Sequence, residues 1–333
     1  MQIQRIALLN ALESVKPGLA SKEVIEQSTC FVFLNNQVAT YNDTVAVSIP
    51  FEIDIEGAVR STELLSLLNK VKDKEVDVYE KDNEFRVDGE KFRSAVTMEN
   101  EIVLPLDFLK TKIKFKPLPE GFETAIKSCA FSAAKETEYP NLSNIHIKDN
   151  TVESCDNFRA TRCKIHKMKE EILFPASAVR GLLNYHFDHY GLSDGWIHLT
   201  KENGAIFSCR TYKDTYPDLD AFFEVKGRPI RLPKELEEIL DRGDIFSSDE
   251  VRESVMITIN PDKIIVRGEN QYGWFEESAD VKRRGKETLI FSTNPKLLKD
   301  ILKHSSRVIV SERSMKFKAR NFDHIVALIQ IET

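Results

Sequence analysis

The chain has 333 residues, of which 41% are hydrophobic and 30% charged, and its formal net charge is −6. This composition is typical of a globular protein in water, and no apolar run approaches the roughly 20 residues that span a bilayer, so we expect no membrane contact. The acidic balance argues against a protein that coats nucleic acid with its whole surface. Basic residues gathered on one face would still allow such binding.

The length exceeds that of one typical hydrophobic core, and three domains of about 110 residues each would account for it. The five cysteines are scattered and contain no CxxC pair, which indicates reduced thiols and neither disulfides nor a zinc site. The first residues are typical of an amphipathic helix and lack a secretory segment. We therefore expect a cytoplasmic protein.

Three similar stretches follow one another along the chain at a spacing of roughly 115 residues. In each, apolar side chains recur at intervals of three and four residues and indicate a helix. These first helices are predicted over residues 3–15, 122–134 and 233–240. A strand follows each helix and ends at a turn signal: Asn35-Asn36, Asp149-Asn150 and Asn260-Pro261-Asp262. After further strands come a second helix and then a hairpin with a closing strand. The second helices are predicted over residues 60–70, 175–185 and 294–303.

Each stretch is therefore predicted to be an α+β domain in which two helices pack on antiparallel strands. The predicted domains are residues 1–112, 113–226 and 227–333. The apolar stripe of each helix must cover the sheet, so the opposite face meets water or a ligand. That opposite face is polar and partly basic. Its basic residues are Arg5, Lys16, Lys22, Lys70, Lys72, Lys127, Lys135, Arg180, Lys296, Lys299 and Lys303.

Catalytic motifs are missing from the sequence. There is no Walker loop, no Gly-rich phosphate-binding loop and no Gly-x-Ser-x-Gly elbow. His186 and His189, with Asp188 between them, lack a clear third ligand, so we expect no metal there. A hydrolase with a site around these residues stays open as an alternative. The main prediction is a protein that is not an enzyme and needs no cofactor.

Four segments give the chain a resemblance to a known family, through their order, their spacing and the threefold repeat. They begin at Leu8 (LLNALESV), Thr215 (TYPDL), Arg231 (RLP) and Ser292 (STNPKLL). Together they resemble the bacterial-type DNA sliding clamp, the β subunit of DNA polymerase III and its processivity factor. The resemblance covers essentially the whole chain and implies a ring-shaped, head-to-tail homodimer with sheets outside and helices around a central hole.

The implied hole has room for duplex DNA. Twelve helices packed about 9 Å apart give a circumference of roughly 108 Å, and so roughly 34 Å between opposite helix axes. Subtracting about 10 Å for the helix diameters leaves roughly 24 Å. Lysine and arginine side chains reaching phosphates through water would attract DNA without reading its sequence. By resemblance, Lys22, Lys135 and Arg252 face DNA, and the other basic residues on the helix faces follow from periodicity alone. Acidic residues in the first helix of the third domain depart from this pattern: Glu235, Glu237, Glu238 and Asp241.

The resemblance also implies a groove between the second and third domains for short peptides of the replicative polymerase and other replication proteins. An apolar groove that accepts a leucine or aromatic anchor is ordinary binding hot-spot chemistry. The matching positions are Leu142, Asn157, Phe158, Arg159, Ala160, Pro217, Leu219, Phe222, Val326, Leu328 and Ile329. Leu142 and Ile329 could equally be core residues. An ATP-dependent clamp loader is a further implied partner.

The third implied site is the dimer edge. Ile245 and Phe246 stand in a polar stretch, which suits either an interface or a hydrophobic staple. By family position they would meet Phe92 on the edge strand of the partner's first domain, and a head-to-tail contact that closes after two subunits makes a ring. A related interaction protein that keeps the fold without closing a ring remains the main alternative.

Overall fold

The structure is a computed structural model of an α+β protein, and it describes residues 1–106, 112–135, 139–182, 185–227, 229–247, 253–283 and 285–329. Arg252, one of the predicted DNA-binding residues, lies outside these ranges. No helix within them is long and apolar enough to cross a membrane.

The elements follow the chain in three groups. The first group is β1 (Gln2–Gln4), α1 (Arg5–Val15), β2 (Cys30–Leu34), β3 (Gln37–Tyr41), β4 (Val45–Pro50), β5 (Gly57–Arg60), α2 (Ser61–Lys70), β6 (Glu75–Lys81), β7 (Glu84–Asp88) and β8 (Arg93–Glu99). The second is β9 (Lys116–Pro117), α3 (Phe122–Ala130), β10 (Asn144–Cys155), β11 (Arg159–Pro175), α4 (Val179–Leu182), β12 (His189–Ser193), β13 (Trp196–Thr200), β14 (Ile206–Arg210) and α5 (Asp220–Phe223). The third is β15 (Ile230–Arg231), α6 (Leu236–Asp244), β16 (Val255–Ile259), β17 (Lys263–Asn270), β18 (Gly273–Asp280), β19 (Leu289–Thr293), α7 (Pro295–Leu302), β20 (Arg307–Val310), β21 (Ser314–Lys318) and β22 (Phe322–Ala327).

The predicted order of helix, strands, helix and strands recurs in all three groups, and the predicted α+β class is confirmed. The turn signals act as expected. Asn35 and Asn36 both have positive φ, at 52° and 55°, which is the conformation of a type I′ hairpin turn. Asp149 has a φ of 52° within β10, where two separate strands were expected.

The first helix begins later than predicted, because residues 2–4 form β1 and pair with β6. Arg5, the first residue of α1, donates hydrogen bonds to the carbonyl oxygens of Leu68 (2.8 Å) and Asp73 (3.0 Å). Its guanidinium therefore ties α1 to the end of α2. It is not one of the free cations expected on the helix face.

Two other helices differ from the predicted bounds. α3 ends at Ala130 because Phe131 stacks between His304 and His324, at centroid distances of 5.6 and 5.0 Å. α4 begins later than predicted, at Val179, because a 3-10 turn at Ala176–Ala178 precedes it; the predicted residues 183 and 184 lie outside the described ranges. Gly181 of α4 lies so close to Pro17 that an added Cβ would come within 2.6 Å of the proline Cβ.

The chain divides into two compact units. The first consists of Met1–Glu123 and Ile172–Lys213, and its sheet runs in the order β1-β6-β7-β8-β5-β2-β3-β4-β14-β13-β12-β9. Stacked aromatic rings fill its core, such as Phe33 on Phe85 at 5.0 Å and Tyr185 on Phe187 at 5.1 Å.

The second unit consists of Thr124–Glu171 and Asp214–Thr333. It contains two sheets, ordered β10-β11-β22-β21-β20-β15 and β18-β17-β16-β19. α6 and α7 each bury one apolar face, which includes Leu236, Ile239, Leu298 and Ile301, as the predicted amphipathic pattern requires.

Candidate peptide groove and basic helix faces

A groove of about 1150 Å³ lies in the second unit between the β10–β11 turn, α5, the β20–β21 turn and β22. Its floor is apolar and buried, and is formed by Cys155, Ala160, Leu219 and Ile325. Phe222 stands on its rim with 61% of its surface exposed. A concave apolar floor beside an exposed aromatic side chain is suited to a leucine or phenylalanine of a partner.

The β10–β11 turn is held rigid by one carboxylate. Oδ1 of Asp156 accepts hydrogen bonds from the backbone N–H groups of Phe158 and Arg159, both at 2.8 Å. Oδ2 accepts from Nε of Arg159 at 3.1 Å, and the same guanidinium donates from Nη1 to Asp300 at 3.0 Å. The turn thus fixes Phe158 beside the groove, and the Phe158 carbonyl oxygen accepts a hydrogen bond from the N–H of Ala327 at 2.8 Å.

Polar groups support the groove floor from behind. The hydroxyl of Tyr216 accepts a hydrogen bond from the N–H of Cys155 at 2.9 Å, and burial raises the pKa of this tyrosine. The Tyr216 ring stacks on His146 at 4.8 Å. Burial lowers the pKa of His146, but its hydrogen bonds to Glu153 and Glu171 outweigh that effect, so the pKa is raised overall. The two carboxylates therefore stabilise the imidazolium form of His146 relative to a free histidine.

Most of the predicted groove residues line this one groove. They are Leu142, Asn157, Phe158, Arg159, Ala160, Pro217, Leu219 and Phe222. Val326 differs from the prediction, because it is fully buried, while its neighbours Ile325 and Ala327 line the groove. Side chains alternate across a strand, so a one-residue offset moves a side chain to the other face. Leu328 and Ile329 lie beyond β22, where their N–H groups donate to the carbonyls of Arg313 and Ser292.

Sequence reasoning missed one wall of the groove. The turn between β20 and β21, from Ser311 to Ser314, lines it together with Lys226 and Glu224. The turn itself was recognisable as a hairpin connection. Nothing in the local pattern showed that β21 pairs with β22 and so brings this turn beside the groove.

Three of the predicted DNA-binding cations lie together in the first unit. Lys16, Lys22 and Arg180 line a recess of about 1030 Å³. The close contact of Gly181 with Pro17 brings the helix that carries Arg180 against the end of α1. Lys16 pairs with Glu13 at 3.2 Å, whereas Lys22 and Arg180 make no ion pair with another described residue.

The remaining predicted cations fall into two classes. One class is solvent-exposed and has no ion pair inside the described ranges; it consists of Lys70, Lys72, Lys127 and Lys135. The other class is on or next to α7 and is paired with carboxylates. Lys296 lies 2.6 Å from Glu253, Lys303 lies 3.6 Å from Asp300, and Lys299 pairs with Asp241 of the acidic helix α6. The bond to Asp241 raises the pKa of Lys299.

No family model and no curated protein matches this chain. Solved structures do match it over 99% of its length. The β subunit of DNA polymerase from Streptococcus pyogenes has a TM-score of 0.85 at 17% identity, with 99% of that chain covered. A sliding clamp (DNA polymerase III subunit beta) from Pseudomonas aeruginosa and the β subunit from Thermotoga maritima each have a TM-score of 0.84 at 16% identity and 99% coverage.

The chain has the sliding-clamp fold. In this clamp fold, the predicted edge residue Ile245 is 70% exposed, and the exposed side chains of Tyr272 and Trp274 lie on the adjoining β17–β18 hairpin. Phe246 is half-buried, with its ring against Gly273. Phe92 is half-buried too, since its ring covers Gly89.

Several strand edges stay open in the described pairings, and two of them lie next to the predicted dimer residues. β18 is the last strand of its sheet. β8 pairs with β7 along its length, but with β5 only at Met98 and Glu99, so residues 93–97 have one open side. Open edges of this kind can pair with another chain.

The two histidines of the hydrolase alternative approach different carboxylates. His186 approaches Glu123 at 3.3 Å, and His189 approaches Asp188 at 2.6 Å. Across the part of the chain that the structure describes, no group of three His, Cys, Asp or Glu residues could hold a metal ion. Cys155 and Cys163 are buried, and burial raises the pKa of Cys155, which disfavours a nucleophilic thiolate there.

Proposed function

We propose that this protein is a DNA polymerase processivity factor. Two copies close head to tail into a ring around duplex DNA, slide along it, and tether the replicative polymerase through the groove in the second unit. The observation that carries the proposal is the match of the clamp fold over 99% of the chain to solved sliding clamps. The assignment includes three clamp domains (residues 1–112, 113–226 and 227–333), a cytoplasmic location, and no catalysis or cofactor.

The basic helix faces support the DNA-binding part of the proposal. Exposed lysines such as Lys70, Lys72 and Lys127 have long stems that hold their charge in water. Such charges attract phosphates at any sequence, and they release bound counterions when they do so. A sliding protein needs this kind of contact, because base-specific hydrogen bonds would stop it at particular sites. Lys299 contributes less in this account, since Asp241 already holds its charge.

The groove supports the tethering part. Its floor is preformed by buried side chains, and Phe222 on the rim is already exposed, so a partner needs little rearrangement to bind. The partner is a short segment with leucine or aromatic anchors in the replicative polymerase and in other replication proteins. Loading of the ring onto DNA is assigned to a separate ATP-dependent loader.

The open edges support ring closure by a second copy. Strand β18 of one copy would pair with residues 93–97 of the other, which would satisfy both open edges at once. The apolar side chains of Ile245, Tyr272 and Trp274 would lose their exposure in the same contact. If this contact did not form, the protein would be a clamp-fold interaction module without a ring, and its solution mass would be that of one chain.

A primer-extension assay tests the tethering. The replicative polymerase of the same source is given the protein, its loader and ATP on a primed circular template, and product length is measured. We expect long products with the wild-type chain and short ones with Phe222→Ala, because the exposed ring binds the polymerase without supporting the fold. Tyr212→Ala, which removes an exposed aromatic outside both the groove and the proposed dimer contact, serves as the control. Equal product lengths for wild type and Phe222→Ala would overturn this use of the groove.

A further inference from the structure

A second recess, of about 870 Å³, lies in the second unit and is strongly basic. Four cations line it, namely Arg231, Lys282, Arg283 and Lys286, against the single carboxylate of Glu287. None of the four makes an ion pair with another described residue. Like charges gathered at a concave surface repel one another, and an anionic ligand would relieve that repulsion.

Hydrogen bonds to the backbone hold part of the recess in place, so the recess does not consist of surface side chains alone. The backbone N–H of Arg283 donates to the carbonyl of Pro261 at 3.1 Å, and its Nη1 donates to the carbonyl of Ile259 at 3.2 Å. These bonds fix the loop after β18 against the β16–β17 turn. The other guanidinium donors of Arg283 remain available to a ligand.

The recess also adjoins the peptide groove. Val310 lines the recess and the next residue, Ser311, lines the groove. On the other side Lys226 lines the groove and Pro229 lines the recess, and three residues can separate them by no more than about 11 Å. Gly227 in this segment lies against β20, since an added Cβ would come within 2.8 Å of Ile309 Cγ2. The lining residues of the two sites therefore lie within the span of about three or four extended peptide residues.

We propose that this basic recess is a second subsite for the partner peptide, and that it receives carboxylates flanking the apolar anchor. The proposal rests on the groove being a peptide site. The expected partner peptide has an apolar anchor, with two or more aspartates or glutamates a few residues before or after it. Half-buried apolar side chains in the lining, Leu289 and Val310, favour a peptide over a nucleic-acid backbone, which offers only phosphates and sugars there.

Two labelled peptides with the same leucine–phenylalanine anchor test this, one flanked on both sides by Asp and Glu and the other by Asn and Gln. Fluorescence anisotropy measures their affinities for the full-length protein at low and high salt. We expect the acidic peptide to bind roughly five- to twentyfold more tightly at low salt, and the advantage to shrink at high salt. Lys282→Gln with Lys286→Gln should remove the advantage and leave the neutral peptide unaffected. Lys263→Gln with Lys234→Gln, at exposed lysines outside the recess, is the matched control.

The outcomes distinguish failure of the acidic subsite from failure of the peptide groove. Equal affinity of the two peptides, or an advantage that survives the recess variant, would overturn the subsite while the groove stands. If neither peptide binds the wild-type protein, the groove assignment fails and the subsite fails with it. Weaker retention on DNA by the recess variant, with peptide affinities unchanged, would assign the cations to nucleic acid and also overturn the subsite.

Discussion

The ion pairs of Arg159 make a sharp test of what holds the groove together. Its side chain is only 6% exposed and donates two charge-assisted hydrogen bonds, to Asp156 at 3.1 Å and to Asp300 at 3.0 Å. Arg242 donates two comparable bonds to Glu277, at 2.8 and 2.9 Å, but it is 45% exposed. The same substitution, arginine to leucine, at both positions therefore isolates the effect of burial.

The expected cost of Arg159→Leu follows from these contacts. Each buried charge-assisted bond contributes about 1.5–3 kcal/mol, and the packing of a leucine against Phe131 returns part of the loss. Asp156 keeps its two backbone donors and Asp300 is exposed enough to be rehydrated, so no charge is left stranded in the interior. We expect a net loss of about 2–3 kcal/mol, below the roughly 3–5 kcal/mol seen when a buried charge is orphaned.

Urea unfolding measures this loss. With a slope of about 2–3 kcal/mol/M, Arg159→Leu should lower the midpoint of the second unit by roughly 1 M. Arg242→Leu should leave the midpoint within the error of the measurement, because water screens and replaces an exposed pair. Equal shifts for the two variants would refute the reasoning that burial makes the Arg159 contacts count.

Three further predictions concern pH, DNA and assembly. The raised pKa of His146 contributes stability that is fully present below the unfolded pKa of about 6.5 and is lost as the pH rises through the folded pKa. The melting temperature of His146→Gln should therefore depend less on pH over that window. Lys70→Gln with Lys72→Gln should lower the slope of log affinity for duplex DNA against log salt by up to about 2, with peptide affinity unchanged; an unaltered slope would remove these lysines from the DNA face. Ile245→Glu should halve the mass seen by sedimentation, since a charge would enter an apolar contact, and a persistent dimer would place the interface elsewhere.

The element order could be predicted because it depends on local signals. Apolar periodicity marked the helices, and the asparagine pair at Asn35 and Asn36 marked a hairpin whose positive φ values the structure contains. Helix ends were less predictable, because tertiary contacts set them. α3 ends where Phe131 joins an aromatic cluster made with two histidines more than 170 residues away along the chain.

The groove could be predicted residue by residue only where resemblance supplied a position. The turn at Asp156–Arg159 and the rim residue Phe222 were found in this way, and they do lie together. Strand register was not available from sequence, so Val326 was assigned to the groove and Ile325 was missed. Ion pairs between side chains could not be predicted from the sequence either. Lys299 and Lys70 are alike in the helical pattern, but only the structure shows that Asp241 holds the first.

The central claim is that the protein encircles DNA, and its topology can be measured directly. The protein is loaded onto a closed circular duplex, the complex is washed at high salt to remove electrostatic binding, and half of the sample is cut once with a restriction enzyme. We predict retention on the intact circles and loss from the linear molecules, because a ring slides off a free end. Equal retention on circular and linear DNA, or no salt-resistant retention on either, would contradict the account.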